Sequence, residues 1–223
     1  RVNIIKYSDN NPEYNKEELS NYGKLCIPRM INNIVANFSR NLLIKSILRE
    51  LVTDGRQTLV LSDRRDHLKN LFEMVSEFAT VGYYVGGMKQ KDLDKSEEKQ
   101  VILGTYPMSS EGLDIPTLDA AIFTTPKSSI EQSIGRITRK NHAKTPVAYD
   151  IVDNFCLFPR QSAKRLKVYK KLEYDVYEQD ININPNSDEN NIIYQVKHNN
   201  CVKVELKKPR KQKIVCEILS DDE

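Results

Sequence analysis

Residues 128–140 read SSIEQSIGRITRK and lie between two short apolar runs, AAIFTT (120–125) and VAYDIVD (147–153). The opening is that of a helix: Ser128 and Glu131 stand in the S-x-x-E relation, in which a cap hydroxyl and a glutamate three residues on satisfy each other's free amides. At roughly 100° per residue, Ile130, Ile134 and Ile137 fall on one stripe, with Gln132, Arg136 and Arg139 on the opposite side. Gly135 costs such a helix about 0.8 to 1 kcal/mol relative to alanine, and like charges three apart repel by about 0.2 to 0.5 kcal/mol. Neither choice serves the helix. Taken alone, the arginines read as well as solvated cations as they do as ligands.

The same alternation runs outward in both directions. IVANFSRNLLIKSILREL (34–51) has helical periodicity and ends near the Asp54-Gly55 turn; QTLVLS (57–62) is a continuous apolar run of strand length; DHLKNLFEMVSEF (66–78) is helical again. VGYYVGG (81–87) is a strand running into a glycine pair, KQKDLDKSEEK a short exposed helix, and QVILGT (100–105) a further strand. Strands alternating with helices predict an α/β fold, a mainly parallel sheet with helices on both faces. Residues 1–30 read as an entry strand (VNIIKY) and a linker. Residues 31–175 carry the α/β pattern, closing with a basic helix over 161–172. Residues 176–223 read as a small β-rich extension, with a loop (INPNSDENN), a hairpin about Asn199-Asn200 and a third strand, KIVCEIL.

The bulk numbers exclude some classes. With 223 residues, 39% hydrophobic and 29% charged, the composition is that of a soluble globular chain, and no apolar run approaches the roughly 18 residues of a membrane span. The chain begins at Arg1 without a signal-like stretch and reads as a piece of a longer protein. Net charge is only +3, but six of the twelve residues 160–171 and five of the seven in KKPRKQK (207–213) are Lys or Arg. Such runs are solvated faces or phosphate-binding patches. Cys26, Cys156, Cys201 and Cys216 form no C-x-x-C pair and the three histidines are scattered, which argues against a zinc site and suits a reducing compartment.

Ligands of open α/β sheets sit at the carboxyl ends of the parallel strands, and there the sequence is least ordinary. After QVILG comes TYPMSSEGLDIPTLD, a long loop with Thr105, Ser109, Ser110, Gly112 and Asp114. After QTLVLS comes DRRDH; after YYV come Gly86 and Gly87, where backbone can approach a ligand closely. Each has a structural alternative: Gly112 as a turn residue, Asp114 as a loop brace, Arg64 and Arg65 as solvated cations.

Q-x-x-G-R-x-x-R (Gln132, Gly135, Arg136, Arg139) resembles motif VI of superfamily 2 helicases, TYPMSSEGLDIP resembles motif V, and TLVLSDRRDHL resembles motif IV. Their order is that of the second RecA-like domain, over about residues 34–153. The fuller text looks closest to the helicases of large cytoplasmic DNA viruses, the asfarvirus and poxvirus transcript-release type, with kinship to phage branch-migration helicases.

The resemblance implies a role for each residue. Arg139 is implied as the arginine finger on the γ-phosphate of ATP, with Arg136 beside it, because a fork-shaped cation neutralises the charge that phosphoryl transfer spreads over equatorial oxygens. Gln132, Gly112 and Asp114 are implied at the nucleotide. Thr105, Ser62, Arg64, Gly86 and Gly87 are implied at the backbone phosphates of one nucleic-acid strand, read without regard to sequence. The implied cofactor is ATP with Mg²⁺, the metal ligands lying in an amino-terminal RecA-like domain, since no G-x-x-x-x-G-K-[ST] loop or D-E-x-x box occurs here. DNA is the implied strand, with RNA as the alternative, transcription machinery is a candidate partner, and the host cytoplasm or the virion is the expected location. A fragment holding half of an active site is expected to be inactive alone. Two rivals stay open: a RecA-like interaction module without catalysis, and a dinucleotide-binding enzyme, which would need a G-x-G-x-x-G turn after its first strand.

Overall fold

The computed structural model describes residues 1–111, 113–138, 143–183, 189–198 and 201–205. Eight strands are defined: β1 (Val2–Asp9), β2 (Gln57–Leu61), β3 (Val81–Tyr84), β4 (Val101–Gly104), β5 (Leu118–Phe123), β6 (Val147–Asp153), β7 (Val176–Ile183) and β8 (Val202–Lys203). They form one sheet in the order β3-β4-β2-β5-β6-β1-β7-β8. Neighbours are parallel throughout except β7 and β8, which are antiparallel. The RecA-like α/β expectation is met.

Alternate strand residues face two separate cores, as the period of two requires. Val60, Leu103 and Ile122 pack with Leu43, Ile47 and Leu71 on one side. Leu59, Leu61, Ile102 and Phe123 pack with Tyr106, Ile134 and Tyr169 on the other. The first side is covered by α1 (Ile27–Ala36), α2 (Phe38–Thr53), α3 (Arg65–Val75) and α8 (Glu189–His198); the second by α4 (Gln90–Glu97), α5 (Tyr106–Glu111), α6 (Glu131–Gly135) and α7 (Phe158–Lys171), whose first residue, Phe158, still packs in the first core.

The entry strand β1 lies inside the sheet, hydrogen-bonded between β6 and β7. The segment after it is packed rather than extended: Tyr14 is buried and donates to Asp153 Oδ1 at 2.8 Å, at the carboxyl end of β6. The single helix expected over 34–51 is two. Asn37 is extended between them and its side chain accepts from the Arg40 amide, so a good cap residue ends one helix and starts the next.

Three local expectations are corrected. The long loop after β4 contains α5. Residues expected as the first arm of a hairpin form α8 instead, and β8 pairs with β7; the proposed turn at Asn199-Asn200 and the strand KIVCEIL lie outside the described residues. The helix opening at 128 starts later: Glu131 is its first residue, Ile130 stands at the cap position, and no side chain caps it. The physical reason is competition. The Glu131 carboxylate is bound by Lys171 at 2.9 Å and the Lys127 carbonyl accepts from the Arg165 guanidinium, so residues before α6 are pinned to α7.

Candidate functional site

The carboxyl ends of β3, β4 and β2 bring together three of the expected loops. Arg65 donates to the Gly86 carbonyl at 2.6 Å, which ties the segment after β2 to the segment after β3. Gly86 also approaches Met108 of α5. Gly87 has φ +89°, a conformation that L side chains rarely adopt, with open space where a Cβ would stand. Thr105 is half-buried at the end of β4, its amide donating to the Tyr84 carbonyl at 3.3 Å. Gly86, Gly87, Thr105 and the β2 end therefore share one rim.

Two members of the expected strand track are placed otherwise. Ser62 is fully buried; its Oγ accepts from the Arg64 amide at 3.1 Å and lies 3.1 Å from His67 Nδ1. It supports the loop from below instead of facing a ligand. Arg64 is half-buried and engaged with α1, donating from Nε to Asn32 Oδ1 at 2.6 Å and from Nη2 to the Pro28 carbonyl at 3.0 Å.

The segment that resembles motif VI is a short α6 continued by a 3₁₀ turn over Arg136–Thr138. Ile130, Ile134 and Ile137 are each 1% exposed, as their spacing predicts. Gln132 is exposed. Arg136 departs from the bare cation that the sequence suggests: it is part-buried, donating from Nη1 to the Leu113 carbonyl at 2.7 Å and from Nη2 to the Ser110 carbonyl. Ser109 and Ser133 hydroxyls meet at 3.3 Å in the same seam. The loop after β4 and the motif VI segment are thus one hydrogen-bonded unit. Asp114 is exposed and its charge is felt at Glu97, whose carboxyl is raised above its ordinary range by burial first, then by Asp94 and Asp114. Arg139 and Gly112 lie outside the described residues.

Sequence reasoning missed what lies beneath. Arg40 of α2 and Asp153 at the end of β6 form an ion pair with neither side chain exposed, Nε to Oδ1 2.7 Å, and Arg40 Nη2 also donates to the Thr124 carbonyl at 2.7 Å. Arg165, part of the basic run expected to face solvent, is buried against Asp150 with Nη2 2.8 Å from Oδ1, and Tyr169 donates to Asp150 Oδ2 at 2.8 Å. One signal was available: Phe158, Arg165 and Tyr169 fall on one helical face. His67 Nε2 lies 2.9 Å from Asn41 Oδ1. Since Asn41 Nδ2 donates to the Val35 carbonyl, its oxygen is the acceptor, which assigns the His67 proton to Nε2 and leaves Nδ1 to accept from Ser62. Burial, then the Arg40 charge, holds the His67 pKa down at about 3.

A cavity of about 830 Å³, lined by Arg49, Arg56, Tyr149 and Tyr177 among others, lies at the amino ends of the strands and holds none of the expected site residues. Among the described residues no group of three His, Cys, Asp or Glu side chains could hold a metal ion. Among them also, no helix is long and apolar enough to cross a membrane.

Residues 40–141 match the model of the helicase conserved C-terminal domain. That segment is therefore similar to a helicase C-terminal domain, and it lies on a RecA-like α/β fold. The relatives described next are viral proteins. One, from Acanthamoeba polyphaga mimivirus and named as a putative ATP-dependent RNA helicase, is 40% identical over 183 residues, covering 78% of this chain and 35% of that protein. The transcript termination protein of rabbit fibroma virus is 27% identical over 138 residues, covering 57% and 27%. Among solved structures, that of UvsW of T4 superposes with a TM-score of 0.65 at 19% identity, over 82% of this chain and 41% of that one. The chain therefore spans about a third of the length of the first of these relatives.

Proposed function

We propose that this chain is the C-terminal half of an ATP-dependent nucleic-acid helicase or translocase. It supplies the motif VI arginines and part of the strand-binding track to a first RecA-like domain of the same protein. The observation that carries this reading is the bonding of Arg136 to the carbonyls of Leu113 and Ser110, which makes one mechanical unit of a nucleotide-facing segment and the loop that leads to the strand rim. A change in the occupancy of the nucleotide cleft then moves Thr105, Gly86 and Gly87 together.

In this reading the residues divide their work. Arg139 reaches the γ-phosphate, Arg136 holds the motif V loop against α6, and Gln132, Gly112 and Asp114 line the nucleotide side. Mg²⁺ bound by the first domain supplies charge neutralisation on the phosphates. Thr105 and the backbone at Gly86 and Gly87 contact phosphates of one strand, while Ser62 and Arg64 position that rim. Phosphate contacts carry no sequence information, as movement along a strand requires. They also leave DNA and RNA undistinguished; the DNA favoured by the motifs and the RNA in the mimivirus relative's name both enter the test.

The test is nucleic-acid-stimulated ATP hydrolysis by the full-length protein, with single-stranded DNA and RNA in parallel. Arg139→Lys is expected to lower turnover by roughly 10³ to 10⁵ while leaving strand affinity within about twofold. Equal loss of hydrolysis and binding makes Arg139 a strand contact. The 223-residue chain alone is expected to hydrolyse no ATP; turnover by it, lost on Arg139→Ala, overturns the division of the active site between two domains.

A further inference from the structure

Large apolar side chains exposed to solvent are few among the described residues and three of the five, Leu19, Tyr22 and Leu25, stand on one small hairpin. Leu19 and Leu25 bridge its base. The Ser20 amide donates to the Lys24 carbonyl at 2.7 Å and the Gly23 amide to the Ser20 carbonyl at 2.9 Å, closing a tight turn with Tyr22 at its tip. Gly23, at φ +70°, permits that turn. Tyr22 is 91% exposed.

A tyrosine ring displayed on a flexible loop would carry little meaning, but this hairpin is braced. The Cys26 amide donates to the Glu18 carbonyl at 2.7 Å, Asn33 Nδ2 to Glu18 Oε1 at 3.2 Å and Arg29 Nη1 to the Leu19 carbonyl at 3.3 Å. Both of those donors belong to α1, and α1 is itself held by Arg64 through Asn32 and the Pro28 carbonyl. Arg64 follows β2, so a chain of direct bonds runs from the strand rim through α1 to the hairpin. The hairpin also follows β1 across the carboxyl edge of the sheet, where Tyr14 meets Asp153.

We propose that this hairpin is a base-stacking site, in which the face of Tyr22 stacks on an unpaired nucleobase of the strand held at the neighbouring rim. This rests on the functional reading above, since it requires a strand at that rim. The chemistry is complementary: the rim offers close backbone approach at Gly86 and Gly87 and the Thr105 side chain to phosphates, and the hairpin offers an aromatic face, which every base can use whatever its identity. Leu19 and Leu25 widen the apolar platform at its base.

The experiment uses the full-length protein and a single-stranded oligonucleotide carrying one 2-aminopurine, as DNA and as RNA. Wild type is expected to quench the probe at one position along the strand. Tyr22→Ala is expected to abolish that quench and weaken binding roughly 5- to 150-fold, with the thermal midpoint unchanged because the side chain is exposed. The slope of affinity against salt is also expected to be unchanged, because no charge is removed. Tyr22→Trp restores both binding and quench. If wild type binds and Tyr22→Ala binds equally, with the same quench, the stacking site is wrong and the functional reading stands. Loss of affinity without loss of the quench likewise overturns it. If wild type binds neither oligonucleotide, the functional reading fails and this proposal with it.

Discussion

Arg136 donates from Nη1 to the carbonyl oxygen of Leu113 at 2.7 Å. An arginine expected to face a phosphate is thereby also a strut between two loops, and its two roles are separable. Hydrogen bonds from a charged donor contribute about 1.5 to 3 kcal/mol, so Arg136→Ala is expected to lower unfolding free energy by that amount in urea denaturation. Arg139→Lys is expected to leave it unchanged. Loss of ATPase in both variants with loss of stability in only one would place the strut at Arg136 and the phosphate contact at Arg139.

Gly135 tests the face of the motif VI segment. A Cβ built there meets nothing within 4 Å, and its backbone is outside the left-handed region. Alanine costs the domain no space and, at the last residue of α6, favours helix by at most about 0.8 to 1 kcal/mol. Gly135→Ala is therefore expected to be neutral or slightly stabilising by thermal melting, yet to depress nucleic-acid-stimulated ATPase in the full-length protein. Unchanged ATPase would mean that neither nucleotide nor partner domain approaches this residue.

The pair of Arg40 and Asp153 is buried with neither side chain exposed, and Tyr14 donates to the same carboxylate. Removing one partner leaves a charge without its counterion, at a cost of about 3 to 5 kcal/mol. Arg40→Met is expected to show that loss. The double change Arg40→Met with Asp153→Asn is expected to recover part of it, as a double-mutant cycle would measure.

His67 gives a pH dependence. Its pKa is held at about 3 when folded against about 6.5 when unfolded, so below pH 6.5 the unfolded chain takes up a proton that the folded chain refuses. Its contribution is complete above pH 6.5 and is lost as pH falls from there toward about 3, at up to about 1.4 kcal/mol per pH unit. His67→Gln is expected to flatten this part of the stability profile. A profile identical to wild type between pH 6.5 and 4 would show that the imidazole is hydrated and titrates normally.

Strands β2, β4 and β5 were legible because they are short continuous apolar runs, and Leu59, Val60 and Leu61 are buried on both faces as such runs demand; β7, polar at Glu178, Gln179 and Asp180, gave no such signal. The buried stripe of Ile130, Ile134 and Ile137, which runs from the cap of α6 into its 3₁₀ turn, was legible for the same reason of period. What failed were readings that depended on a single local rule. Ser128 and Glu131 fit a capping box, but Lys171 takes the Glu131 carboxylate and Arg165 ties the Lys127 carbonyl to α7. The alternation in IIYQVKH suggested a strand, yet α8 packs with β7, where Gln179 donates to the Gln195 and Val196 carbonyls.

By itself the sequence determined the α/β alternation and which loops gather at the strand ends, since those follow from hydrophobic period and chain order. Only the tertiary structure decided the use of the charged and polar residues. Ser62, Arg64 and Arg136, expected at ligands, are bonded to α3, α1 and the loop after β4; Arg165, expected in solvent, is paired in the core. A charged side chain's role depends on whether its counterion lies within hydrogen-bond reach. That distance joins residues far apart in the chain, as with Arg40 and Asp153, and no local pattern records it.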